Sequence, residues 1–211
     1  MSIYPIVEGH GEVEAAPILL RRLLAEAHCF HIGIGSPIRR TQSQLRSQQG
    51  IQAAVQLAML QPRCDAVIIL FDGEDDCPAV LAAKVRGWAR EVAAGRIACD
   101  VVIAYREYET WFLAAVESLQ GKYGIREDAV TPADPESLRD AKGALEEFMP
   151  RNRAYSETGD QPAMSAVFKM ELAYKRNRSF RKMVKVIGDV LATLGVPTGT
   201  WPPAHWVQEG T

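Results

Sequence analysis

The chain has 211 residues, 47% hydrophobic and 24% charged, with 26 acidic against 24 basic side chains and a formal net charge of −2. This composition excludes a disordered chain and fits one globular domain, or a core domain with a helical extension. It also excludes the capture of an anionic partner by global charge, so such a partner needs a local basic patch or a metal.

Apolar residues at 3–7 predict a strand that ends at Glu8. Gly9, His10 and Gly11 read as a tight turn, with Glu12 at the start of a helix over about 13–28; Pro17 is expected to keep that helix from starting much earlier. "FHIGIG" at 30–35 is a second, weaker strand, and after a polar stretch residues 51–60 read as a helix. "DAVIILF" at 65–71 is the clearest strand, a short apolar run with β-branched residues at its centre. Pro78 opens a helix that Gly95 closes. "DVVIAY" at 100–105 is a fourth strand, followed by a helix over 108–119. Strands alternating with helices predict an α/β core: a mostly parallel four-stranded sheet flanked by helices.

The alternation stops near Gly124, which divides the chain into a core over 1–124 and a helical extension over 125–211 packed on it. The extension reads as a helix to about Phe148, a polar loop "RNRAYSETGDQP", two helical segments covering 163–194, and an extended Pro-rich tail. Trp201 and Trp206 in that tail either pack back on the domain or dock a partner. Cys29, Cys64, Cys77 and Cys99 form no C-x-x-C pair, which argues for reduced thiols rather than a zinc or disulfide framework. With no long apolar run and no signal pattern, the expected location is cytoplasmic, away from membranes.

Three of the predicted strands end in acid: Glu8 with Glu12, then Asp72, Glu74, Asp75 and Asp76 in "DGEDD", then Glu107 and Glu109 in "REYE". In a parallel sheet these ends share one edge, where α/β proteins bind ligands. Carboxylates crowded there repel one another unless a cation sits among them. A hard divalent cation, Mg²⁺ or Mn²⁺, suits such oxygen donors, and Glu8, Asp72, Glu74 and Asp76 are the expected ligands. Each cluster alone also reads as a solvated turn or a helix N-terminal charge. His10 reads as a polar turn residue.

The pieces "VEGHGE", "LFDGEDDCP", "REYETWFLA" and, more loosely, "YSETGDQPAM" with "RSFRKM" carry a resemblance. Their order is similar to the domain-of-unknown-function family 4276, regarded as TOPRIM-like and related in motif pattern to OLD-family nucleases. The resemblance implies a TOPRIM/Rossmann-like core and Mg²⁺- or Mn²⁺-dependent phosphodiester chemistry. By position it assigns catalytic roles to Glu8 as ligand or base, to Asp72 and Glu74 as principal ligands, and to Glu12 and Glu109 as further ligands. Glu74 departs from the Asp usual at its position. The OLD-like pattern further implies DNA, in preference to RNA, as substrate, a role in defence against phage or mobile DNA, and a separate ATPase partner, since no G-x-x-x-x-G-K-[ST] loop is present. Fold membership alone does not establish the activity. A phosphohydrolase or phosphotransferase acting on a small phosphate ester, or a non-catalytic module binding nucleic acid or a partner, fits the same residues. The run "AYKRNRSFRKMVKV" supplies the expected phosphate contacts, Arg178, Arg181 and Lys182, with Lys142 as a further candidate.

Overall fold

Strand β1 (Ser2–Val7) lies inside a sheet in which every pairing is parallel. The computed structural model describes residues 1–207, and its sheet is built from β1, β2 (Gly33–Ile34), β3 (Ile38–Arg39), β4 (Cys64–Asp72) and β5 (Ala98–Ala104). The order is β2-β1-β4-β5, and the two short strands share one flank of β1: β2 pairs with its start and β3 with its end. Three long strands therefore carry the sheet, and β3 is a fifth strand that its two residues after Pro37 do not announce.

The long strands read as continuous apolar runs because both faces are covered. Ile3 and Val7 of β1, Ile68 and Leu70 of β4, and Val102 and Ala104 of β5 point into one core. Their alternates Tyr4, Ile6, Val67, Ile69, Phe71, Val101 and Ile103 point into the other. Helices α3 (Gln48–Met59) and α4 (Pro78–Ala93) cover the second face; α2 is the single turn Gln42–Leu45. The first face takes α1 (His10–Glu26) together with the C-terminal helices.

Those helices are α5 (Thr110–Leu113), α6 (Ala141–Glu146), α7 (Asp160–Val167), α8 (Met170–Arg176), α9 (Arg178–Thr193) and α10 (Ala204–Val207). Helix α9 packs along β5 and α7 along α1, so segments beyond residue 124 complete the layer over the sheet. The predicted helix over 108–119 is instead α5 followed by a 3-10 turn at Val116–Leu119. The C-terminal segment expected as two helices divides into three, because Asn177 ends α8 and caps α9. The tail is not extended throughout: Trp206, in α10, is buried against Tyr174 of α8, and Trp201 donates its indole N–H to the Val184 carbonyl at 2.9 Å. Helix α1 begins at His10, earlier than expected, and keeps Pro17 buried inside it. Its packing on the sheet and on α7 outweighs the hydrogen bond that Pro17 cannot donate.

Candidate active site

The turn after β1 is short because α1 starts at His10, two residues beyond Glu8. Glu12 falls in the first helical turn and is buried, with its carboxylate folded against Gly9: a Cβ at Gly9 would collide with Glu12 Oε2. Glu8 is partly buried, and its Oε2 has no hydrogen-bond partner among the described residues. Burial raises the Glu8 carboxyl to about 7, reinforced by Glu12 and opposed by Arg46. Glu12 is also raised by burial, against which the Glu12 and Gly9 amides act.

Strand β4 brings Asp72 to the same edge, where its Oδ1 accepts the backbone N–H of Tyr108 at 2.9 Å. That bond ties the end of β4 to the segment after β5, in which Glu109 is fully buried. Glu109 Oε1 accepts from the Tyr155 hydroxyl at 2.9 Å and from Gln161 Nε2 at 3.2 Å, while Oε2 is unpartnered. Burial raises Glu109 to about 7, although Lys142 and the Tyr155 bond pull it down. Asp72 is pushed well above the carboxylate range by burial and then by Glu109, Glu12 and Glu8. The four carboxyls thus converge and resist simultaneous ionisation.

Lys142 is the cation that acts on all four carboxyls, with Arg46 acting on Glu8 as well. Lys142, at the start of α6, bonds Glu157 Oε1 at 2.6 Å and is held protonated by Glu157, Glu109 and Asp72, against its own burial. Glu107 Oε2 accepts the Lys142 backbone N–H at 3.3 Å, which sets α6 against the site. Helix α7 supplies Gln161, which packs so closely that a Cβ on Gly11 would strike Gln161 Oε1 and the Glu157 carbonyl.

A metal set can be tested against these residues. Among the described residues, no three His, Cys, Asp or Glu side chains are grouped to hold an ion as they stand. The donor chemistry nonetheless fits a hard divalent cation: the donors are all oxygen, two carboxylate oxygens are orphaned, and the charges are mutually repelling. A cation placed among Glu8, Glu12, Asp72 and Glu109 would relieve that repulsion.

The other expected residues are distributed differently. Glu74 is exposed on a left-handed turn (φ 53°), near enough to raise Glu8 but pointed to solvent beside Gln42. Asp76 is exposed and ion-paired with Arg46 at 3.2 Å, apart from the four converging carboxyls. Lys142 lies among the carboxylates rather than on a separate phosphate-binding surface. Arg178 pairs with Glu136 at 2.8 Å, Arg181 donates to the Tyr174 and Lys175 carbonyls, and Lys182 lines a cleft beside β5. Most of the basic run is neutralised internally: Lys175 by Glu171, Arg176 by Glu117 and Lys185 by Asp189. The role of Gln161 was not anticipated; its only signal is its place in "YSETGDQPAM".

A family model described as a domain of unknown function (DUF4276) matches residues 7–188. The match spans every element that builds the site, from the end of β1 to most of α9. The chain belongs to the DUF4276 family. No curated protein and no solved structure matches it. In this DUF4276 chain no helix among the described residues is long and apolar enough to cross a membrane.

Proposed function

We propose that this DUF4276 protein is a Mg²⁺- or Mn²⁺-dependent nuclease of the TOPRIM type that hydrolyses phosphodiester bonds. The observation that carries this reading is the convergence of Glu8, Glu12, Asp72 and Glu109 at the carboxyl edge, with orphaned oxygens on Glu8 and Glu109. When bound, a divalent cation supplies a nucleophilic water near neutral pH and stabilises charge on the phosphoryl oxygens. Glu8 and Glu109, both raised to about 7, stand at the protonation boundary where a carboxyl can take or return a proton. The Tyr155 hydroxyl and the Gln161 amide fix the orientation of Glu109. Lys142 brings a positive charge to the same place, which attracts phosphate oxygens that the carboxylates repel. DNA as substrate, a partner ATPase, a defence role and a cytoplasmic setting are parts of this proposal supported by the OLD-like motif pattern.

The test is incubation of purified protein with plasmid, linear DNA and RNA in Mg²⁺, Mn²⁺ or EDTA, beside a Glu8→Gln variant. The expected result is cation-dependent cleavage lost in the variant. Equal cleavage by both proteins, or cleavage in EDTA, would overturn it.

A further inference from the structure

Charge is segregated along this chain. Residues 27–64 hold four arginines, Arg39, Arg40, Arg46 and Arg63, and no Asp or Glu, in a protein whose net charge is −2. Arg39 ends β3, Arg40 follows it, and Arg46 closes the single turn of α2. Parallel pairing sets Arg39 beside Val7, and the Arg40 backbone N–H donates to the Val7 carbonyl at 2.9 Å. Both arginines therefore stand one strand spacing, about 4.8 Å, from the backbone that leads into Glu8. Sheet order then lays out the carboxyl edge: the arginines after β3, Glu8 after β1, Asp72 at the end of β4, and Glu109 with Lys142 beyond β5.

These arginines differ from the C-terminal basic run, in which Lys175, Arg176, Arg178 and Lys185 each meet a carboxylate at 2.6–2.8 Å. Arg39 is exposed and Arg40 half-buried, and among the described residues neither has a carboxylate within ion-pair distance. The Arg40 guanidinium donates to the Arg39 carbonyl at 2.9 Å, and Ile38, buried in the second core, anchors the strand beneath them. Arg46 has a different task. Its Nε pairs with Asp76 at 3.2 Å and its Nη2 donates to the Asp72 and Gly73 carbonyls, which locks the α2 turn to the end of β4. Thr41, Gln42 and Ser43 continue the exposed surface with neutral donors, and the acid bordering them is Glu74, bonded to Gln42 at 3.5 Å.

We propose that the phosphate backbone of the DNA substrate runs over β3 and α2, with Arg39 and Arg40 holding phosphates that flank the scissile one. This deepens the nuclease reading and rests on it for the reaction. Guanidinium forks match phosphate oxygens bidentately and read no base, and hydroxyl and amide neighbours make contacts of the same kind. The surface thus positions a strand without choosing its sequence. Unpaired arginines at the flank of the edge also supply the local attraction for a polyanion that a net charge of −2 cannot.

The test separates binding from cleavage. The full chain is titrated in EDTA with a fluorescently labelled DNA duplex over a series of salt concentrations, and anisotropy reads the affinity. Arg39→Gln/Arg40→Gln should weaken binding about tenfold or more at low salt, the scale of lost charge-assisted contacts. The salt dependence should become shallower by about 0.9 for each phosphate contact removed. Arg39→Lys/Arg40→Lys should restore most of the affinity and the salt slope. Arg63→Gln/Lys185→Gln removes the same charge elsewhere: Arg63 precedes β4, at the opposite end of the sheet, and Lys185 is paired with Asp189. That control should bind as the wild type does. Absence of duplex binding, equal loss in the control, or an affinity and salt slope indifferent to Arg39→Gln/Arg40→Gln would overturn the proposal. If the arginines carry binding while wild-type protein cleaves nothing in Mg²⁺ or Mn²⁺, the nuclease reading fails and the DNA-binding surface stands. Cation-dependent cleavage with binding indifferent to the arginines is the reverse outcome.

Discussion

At Gly11 a hydrogen is all that the site allows. The added methyl of Gly11→Ala would meet the Glu157 carbonyl, which is backbone and cannot rotate away as the Gln161 amide could. Alanine gains about 1 kcal/mol of helix propensity over glycine, while overpacking costs about 1–3 kcal/mol. Gly11→Ala should therefore lower unfolding stability by roughly 1 kcal/mol and loosen Gln161 from Glu109. Gly87 in α4 is the control: nothing lies within 4 Å of its would-be Cβ. Gly87→Ala should raise stability by about 0.5–1 kcal/mol, and denaturant unfolding of the two variants checks both signs. The carboxyls make a second prediction. Glu8 and Glu109 rise from 4.5 to about 7 on folding, so the folded protein holds more protons than the unfolded chain between those values. Their contribution is fully present below 4.5 and is lost as pH climbs through about 7. In EDTA the melting temperature should fall as pH rises across this window. Mg²⁺ should raise it more at about pH 8 than at about pH 5, because a cation favours the ionised carboxyls. A melting temperature that rises with pH across the window, with no pH-dependent effect of Mg²⁺, would count against this placement of the carboxyls.

Among the elements, α9 shows how the C-terminal half is tied to the site. Asn177 is fully buried and its side chain accepts from Phe180 N–H and the Ser179 hydroxyl, both at 2.8 Å. The Glu136 carboxylate accepts the Arg178 and Ser179 amides, and the Trp111 indole donates to Ser179 at 2.8 Å. Asn177→Ala should cost about 2 kcal/mol, the upper end for losing an N-cap, since buried partners are stranded with it. Chemical denaturation measures that loss, and a cost near zero would show that Glu136 caps the helix unaided. The same elements explain which boundaries the sequence concealed. The stretch 108–119 contains good helix formers, yet Trp111, Phe112, Leu113 and Val116 are all buried. Burial around most of its circumference replaces amphipathic periodicity, and the backbone turns at Ala115 (φ −131°) to pack it. The break at Asn177 sits inside a run of helix formers, and only its cap hydrogen bonds reveal it.

For the whole molecule, the three long strands were legible because burial on both faces turns each into an unbroken apolar run. Glu8, Glu12, Asp72 and Glu109 were legible as a group because parallel strands bring their ends to one edge. What lay beyond reach depends on long-range docking. Gln161 reaches the site because α7 packs on α1, and Lys142, expected as a phosphate contact, stands among the carboxylates because α6 lies against the segment after β5. Charge counting likewise could not show that most of the C-terminal basic run is spent on internal partners. The claim that these parts form one cation-dependent centre is tested most directly by titrating the protein with Mn²⁺ at about pH 8, where the carboxyls are ready to ionise. Calorimetry should show a saturable binding event in the wild type that is lost, or weakened at least about a hundredfold, in Asp72→Asn with its fold intact. No saturable Mn²⁺ binding, or equal binding by the two proteins, would contradict the account.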